Sequence, residues 1–253
     1  MKISIVTAVR NRRETIGAAL ESIYAQTYDN FEHIIQDGGS SDGTDRVVLE
    51  KSKPQTRFVS EPDGGIYDAI NRGIRRASGD VIGLMHSDDL FASPDVLSKV
   101  AAAFDAPDID GVYGDLTYVS ADDPDRVIRY WRAGNYDPLN LARGWMPPHP
   151  TLYLRREVFE RWGLYDTDYR IAADYEAMLR YLIKGRIRLA YVPEVLVRMR
   201  AGGESNKSLG HILRKSREDY RAIRHNRVGG LGTLALKNFS KLGQFVAREK
   251  KIP

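Results

Sequence analysis

Hydrophobic positions in the first hundred residues alternate between two periods. Ile3 to Val9 is an apolar, β-branched run of the length of a buried strand. Ile16, Leu20, Ile23 and Tyr24 then recur at helical spacing. Phe31 to Gln36 reads as a second strand, Thr44 to Lys51 as a short helix and Thr56 to Ser60 as a third strand. Ile66, Ala69, Ile70, Gly73, Ile74 and Ala77 line one face of an amphipathic helix, and Val81 to Met85 forms a fourth strand. Ser93 and Pro94 supply the N-cap and first position of a helix that presents Leu97, Val100, Ala101 and Phe104 on one side. This alternation predicts a parallel sheet covered by helices.

The pattern changes after residue 110. Val112 to Val119 and Val127 to Trp131 read as a hairpin or as edge strands, followed by a Pro/Gly-rich loop with few charges over 134–150. Thr151 to Leu154 is a strand. Ala172 to Lys184 is a helix with Tyr175, Met178, Leu179, Leu182 and Ile183 on its apolar face, and Gly185 stands where a C-cap is expected. Val192 to Met199 is the last strand. Two further helices are expected near Ile212 to Arg224 and Leu231 to Phe245.

Composition narrows the class. With 253 residues, 42% of them hydrophobic and 28% charged, the chain suits one large domain, or a domain with an appendage. The absence of cysteine excludes a disulfide scaffold, a thiolate metal site and a cysteine nucleophile, and fits a reducing cytoplasm. No stretch approaches the roughly 18 to 20 apolar residues that span a bilayer. The apolar opening is cut off by Arg10, Arg12 and Arg13 and no small-residue cleavage site follows, so it reads as a strand rather than a signal peptide.

Charge is uneven. From Asn206 onward there are 12 Lys/Arg against 3 Asp/Glu, whereas residues 1–205 carry 26 basic against 31 acidic. An acidic body with a basic tail is not the footprint of a nucleic-acid-binding domain. It suits either a solvated helical face or a tail that meets an anionic surface, in a bacterium the cytoplasmic face of the inner membrane.

Candidate chemistry sits at the carboxyl ends of the predicted strands, where open parallel sheets collect ligands. Four polar segments fall there: Thr7 to Asn11, Asp37 to Thr44, Glu61 to Asp68 and His86 to Asp89. A dinucleotide fingerprint and a Walker A loop are both absent, and Ala8 stands where a strand-1 aspartate nucleophile would be needed. Carboxylates at several strand ends imply a nucleotide held by hydrogen bonds, with its diphosphate bridged by magnesium or manganese.

The segments IVTAVRN, DGGSSDGT, SEPDGGIYDAINRGI and ASGDVIGLMHSDDL, with AADYE later, resemble family 2 glycosyltransferases of the GT-A fold. The resemblance covers roughly residues 1–200 and is nearest to bacterial enzymes that build exopolysaccharide and lipopolysaccharide repeat units. It implies an α/β fold with a mostly parallel central sheet flanked by helices. The glycosyltransferase domain would span 1–205, with a nucleotide-sugar half (1–110) and an acceptor half (111–205), and a basic helical extension over 206–253. It also implies that Thr7 and Val9 flank the base with backbone groups, that Asp37 meets the imide of a uracil or thymine, and that Asp63, Asp68 and Ser87 lie near the ribose and diphosphate. Asp88 would be the metal ligand, with Asp89 a second candidate, and Asp174 the catalytic base. His149 and Trp145 are acceptor or diphosphate contacts.

Two departures stand out. His86 replaces the first acid of the family's DxD pattern, and Ala173 replaces a Glu before Asp174. Each carboxylate also has a purely structural reading: an Asx turn for Asp37, a first-turn helix charge for Asp68, helix caps for Asp89 and Asp174. No QxxRW-like motif follows Asp174, and its absence implies addition of a single sugar. The expected activity is an inverting, metal-dependent transfer from a UDP- or dTDP-sugar to a glycan or lipid-linked glycan acceptor. A sugar-phosphate nucleotidyltransferase and a non-catalytic nucleotide-sugar-binding subunit are the alternatives.

Overall fold

The computed structural model describes residues 1–106, 108–201 and 209–240. Its amino-terminal half follows the predicted alternation: β1 (Ile3–Val9), α1 (Arg13–Tyr24), β2 (Phe31–Asp37), α2 (Thr44–Lys51), β3 (Thr56–Ser60), α3 (Ile66–Arg76) and β4 (Val81–Leu84). There follow β5 (Leu90–Phe91), α4 (Val96–Ala103), β6 (Gly111–Val119), β7 (Val127–Trp131) and α5 (Pro138–Leu141). A 3-10 turn (His149–Thr151) leads to β8 (Tyr153–Arg155), α6 (Arg156–Trp162) and α7 (Ala173–Leu179). The chain closes with a π-helical turn (Arg180–Lys184), β9 (Leu189–Arg200), α8 (Leu209–His225) and α9 (Leu231–Ser240).

Nine strands among the described residues form one curled sheet of order β3-β2-β1-β4-β8-β6-β9-β5, with β7 on β6. The pairings β3–β2, β2–β1 and β1–β4 are parallel, in register Val9 to Asp37 and Asp37 to Ser60. This aligns the carboxyl ends of the first strands. Beyond β4 the sheet is mixed: β8 runs antiparallel to β4 and β6, while β9 runs parallel to β6. Every residue of β1 is buried, as expected of a central parallel strand covered on both faces. Val6 and Ala8 face a core shared with α3, α6, α7 and α8, while Ile3 and Ile5 face a second core under α4.

Several local expectations are corrected. The helix after Ser93-Pro94 starts later, at Val96, because Ser93 Oγ donates to the Asp95 carboxylate and Asp95 takes the N-cap position. The expected 172–184 helix ends in π geometry. There the Arg180 guanidinium donates to the carbonyls of Trp162, Gly163 and Leu164 and to Glu176. Gly185 is right-handed, and the left-handed residue is Arg186. A side chain at Gly185 would run into the Tyr181 carbonyl and the Trp162 ring, so the glycine serves close approach rather than a C-cap. The end of the last helix, residues 241–245, lies outside the described residues.

The basic extension lies on the body. Ala222 and Ile223 of α8 are fully buried in the core shared with α7. Lys237 of α9 is also buried, with Nζ 2.6 Å from Asp219 of α8 and 3.4 Å from the Tyr175 ring centroid of α7.

Candidate active site

A cavity of about 570 Å³ opens at the carboxyl ends of the parallel strands. That is within the usual size of a small-molecule site. Val9, Asp63, Ser87, His149 and Asp174 line it, together with His211, Lys215 and Lys237 of the extension.

The loops on the nucleotide-facing side are locked to each other. Asn11 takes a left-handed conformation (φ 51°) that lets its amide donate to Ser40 Oγ and its side-chain oxygen accept from the Ser41 amide. Asp37, expected to meet the base, is fully buried and does not face the cavity. Its Oδ2 accepts from the Ser40 amide (2.9 Å) and Ser60 Oγ (2.6 Å), and its Oδ1 from Ser40 Oγ (2.5 Å), tying β2 to β3. With its oxygens occupied inside the protein, Asp37 is a turn clamp.

The carboxylate that does reach the cavity from this side is Asp63. Its Oδ1 accepts from the Gly65 amide (2.8 Å), while its Oδ2 lies over Gly38, where any β-carbon would collide with it. Gly38 is therefore the cradle of Asp63. Asp68 turns away, accepting from the Gly64 amide and pairing with Arg72 at 2.9 Å, which is its role as a first-turn helix charge. Thr7 is fully buried, its hydroxyl 2.9 Å from His33 Nε2, so its side chain does not reach a ligand.

His86 to Asp89 form a turn closed by the Asp89 amide donating to the His86 carbonyl (3.1 Å). Ser87 lines the cavity, whereas Asp88, half-buried beside His86, is not among the residues that line it. Asp89 points inward. Its Oδ1 accepts from the Arg200 amide of β9 (3.2 Å), and its Oδ2 is buried without a hydrogen-bond partner. Burial, reinforced by the Asp88 charge, raises its carboxyl well above the usual range. Among the described residues no three His, Asp or Glu side chains group to hold an ion. One half-buried carboxylate, together with the phosphate oxygens that a nucleotide would bring, is nevertheless a donor set that magnesium or manganese accepts, and a cation there would relieve the repulsion between Asp88 and Asp89. Asp88 fits such an ion, while Asp89 is turned inward onto the Arg200 amide.

Asp174 is the second residue of α7, partly exposed on the cavity wall. Two elements hold it. Tyr67 of α3 donates to its Oδ1 (3.2 Å) and to the Ile171 carbonyl (2.7 Å). Glu218 of α8 accepts from the amides of Arg170, Ile171 and Ala172 (2.8–3.1 Å), the orphan donors just before the helix. Ala173, where the family shows Glu, is fully buried and has no room for a longer side chain.

His149 lines the cavity and its Nε2 lies 2.9 Å from the Tyr165 hydroxyl. Burial pulls its pKa down to about 4, which makes it a neutral group at physiological pH and not a fixed cation for a diphosphate. Trp145 lies off the cavity lining, its indole donating to the Ala133 carbonyl and packing on Tyr113 and Tyr136. The structure thus brings Val9, Asp63, Ser87, His149 and Asp174 to one cavity. Thr7, Asp37, Asp68, Asp88, Asp89 and Trp145 are not among the residues that line it, the contact expected of Thr7 being through its backbone. Sequence reasoning missed Glu218, Lys215 and Lys237, which belong to no motif, and passed over Tyr67, which lies within the SEPDGGIYDAINRGI segment.

The model of glycosyl transferase family 2 matches residues 4–164. An uncharacterized glycosyltransferase of Mycobacterium tuberculosis is 34% identical over 186 residues, spanning 70% of this chain and 68% of its own length. A PGL/p-HBAD biosynthesis glycosyltransferase of Mycobacterium bovis is 31% identical over 208 residues, spanning 80% and 78%. Among solved structures, S. aureus TarS superposes with a TM-score of 0.65 at 17% identity, over 90% of this chain but only 39% of TarS. The mannosyltransferase PcManGT of Pyrobaculum calidifontis, in complex with GDP-Man and Mn2+, gives 0.67 at 17% identity, over 98% and 76%. The fold is that of the GT-A glycosyltransferases. The chain belongs to glycosyl transferase family 2.

Proposed function

We propose that the protein is an inverting transferase that moves one sugar from a nucleoside diphosphate donor to a hydroxyl of a glycan, lipid-linked in the cell. The observation that carries this reading is Asp174, partly exposed on the wall of a cavity that Val9, Asp63 and Ser87 also line. The nucleotide lies along the strand ends, with Val9 and Asp63 beside base and ribose and Ser87 toward the phosphates. Solved neighbours hold UDP-GlcNAc and GDP-Man, which supports a nucleotide-sugar as donor.

The acceptor hydroxyl approaches the anomeric carbon from the Asp174 side. Asp174 takes its proton as the new carbon–oxygen bond forms, and the bond to the diphosphate oxygen breaks on the opposite face, inverting the centre. Tyr67 and Glu218 keep the carboxylate aimed. A divalent ion, magnesium or manganese, would be held at Asp88 and would neutralise charge on the departing diphosphate.

Exposed apolar residues on the extension (Ile212 and Leu213 on α8; Leu231, Leu236 and Phe239 on α9) stand beside exposed Arg214, Arg217 and Arg224. No described helix is long and apolar enough to cross a membrane. A basic and apolar face of this kind favours peripheral attachment to an anionic bilayer, where a lipid-linked acceptor is presented.

The test is donor turnover. Incubation with nucleotide-sugars and magnesium or manganese should release nucleoside diphosphate, and Asp174→Asn should bind the donor yet release at least a hundredfold less. Turnover of that variant within a few-fold of the unmodified protein would remove Asp174 from its role.

A further inference from the structure

We infer that the C-terminal extension completes the donor site, with Lys215 and His211 of α8 forming a cationic subsite for the diphosphate. This rests on the proposed donor reading and deepens it.

Helix α8 is basic all round, so its charge alone has no meaning for the site. Position does. Arg214, Arg217, Arg221 and Arg224 are exposed, on the side turned to solvent. His211 and Lys215, four residues apart, share the opposite side with Asp219, Ala222 and Ile223, the face that docks on the body. The docked part ends at Glu218, which accepts the amides preceding α7. One turn earlier the same face passes the Asp174 helix and lines the cavity.

The neighbouring charges fix what this face can bind. Asp219 is buried and paired with Lys237 at 2.6 Å, and Lys215, which lines the cavity, lies 3.7 Å from the same carboxylate, so two lysines face one acid. Arg170 lines the same wall. With Asp219 neutralised, this wall favours an anion, and within one cavity a nucleotide lying on Val9, Asp63 and Ser87 would bring its phosphates toward it. A charge-assisted contact from the Lys215 ammonium, joined by a hydrogen bond from the His211 ring, is the chemistry that retains a diphosphate in preference to a monophosphate.

The experiment uses the full chain in magnesium buffer, titrated with UDP, GDP, CDP and dTDP and with the matching monophosphates. The unmodified protein should prefer one diphosphate over its monophosphate. In Lys215→Gln, and more so in Lys215→Gln with His211→Gln, affinity for that diphosphate should fall about tenfold while the monophosphate is held as before, and Lys215→Arg should restore the preference. An unchanged diphosphate-to-monophosphate ratio in folded variants overturns the subsite and leaves the donor reading standing. Equal loss of both ligands overturns it too. If the unmodified protein binds no nucleoside diphosphate, the donor reading itself falls, and the subsite with it.

Discussion

The Tyr67 hydroxyl lies 3.2 Å from Asp174 Oδ1, although the two residues are 107 positions apart and sit on different helices. Burial, reinforced by the Asp174 carboxylate, raises the Tyr67 phenol well above its ordinary pKa, so it stays protonated and donates throughout the working pH range. The same hydroxyl is shared with the Ile171 carbonyl at 2.7 Å, the residue that enters the Asp174 helix. A hydrogen bond to a charged group contributes about 1.5–3 kcal/mol, and sharing puts this one at the low end. Tyr67→Phe should therefore lower kcat about tenfold with donor KM nearly constant. Steady-state kinetics on the two proteins check this; a change confined to KM would mean that Tyr67 binds donor and does not position Asp174.

Glu218 gives a second, independent hold on the same helix. Its carboxylate is the shared acceptor for the Arg170, Ile171 and Ala172 amides, the place that a serine or aspartate N-cap would otherwise fill. Removal of a cap acceptor costs about 1–2 kcal/mol. Glu218→Ala should lower Tm by about 3–6 °C and reduce kcat, because α7 loses its anchor to α8. Glu218→Gln, which keeps an acceptor oxygen, should recover part of both. Thermal melts and initial rates read the two effects together.

The sequence made the parallel half of the fold legible because its signals are local. The β1 run, the 66–77 periodicity and the turn-forming polar segments each fall within one element, and the register of β1 to β4 follows from their order. Where a role depends on direction within a turn, the sequence was mute. Asp37 and Asp63 both sit at strand ends, and only the structure shows one facing Ser40 and Ser60 and the other lying on Gly38. The extension was read as basic and helical, yet Glu218 and Lys237 act through tertiary contacts that no periodicity encodes. Short elements such as β5 and α5, of two and four residues, escape pattern reading for want of a period.

Gly38 separates the two carboxylates experimentally. Its backbone φ lies outside the left-handed region, so alanine is sterically allowed by the main chain, but the added methyl would meet the Asp63 carboxylate and the Arg10 side chain. A flexible side chain yields at little cost to folding. Gly38→Ala should leave Tm within about 2 °C while raising donor KM several-fold by displacing Asp63, and Asp63→Ala should match it in KM. Asp37→Ala should instead lower Tm by several degrees, since it leaves the Ser40 and Ser60 donors of the β2–β3 clamp without their acceptor. Equal behaviour of the Asp37 and Asp63 variants would return Asp37 to the nucleotide.

Histidines with pKa values lowered by burial make stability fall with acid: His149 and His86 at the cavity, and one remote from it. His33 of β2 is fully buried between Thr7 (2.9 Å) and Tyr24 (3.3 Å), and burial pulls its pKa to about 3. The unfolded chain binds that proton near pH 6.5 and the folded chain only near 3, so between these values unfolding takes up a proton. Stability is complete above pH 6.5 and is lost as pH falls, by about 1.4 kcal/mol per unit for this histidine. Glu32, held near pKa 2 by Lys2, Ser4 and Ser78 against the cost of burial, adds a loss of the same sign that begins only below about pH 4.5. Urea unfolding of the unmodified protein from pH 7 to 4.5 should therefore show a falling midpoint. His33→Gln, which keeps a polar partner for Thr7, should be less stable at pH 7 but lose about one proton's worth of slope between pH 6.5 and 4.5. Identical slopes in the two proteins would mean that His33 is protonated in the folded state.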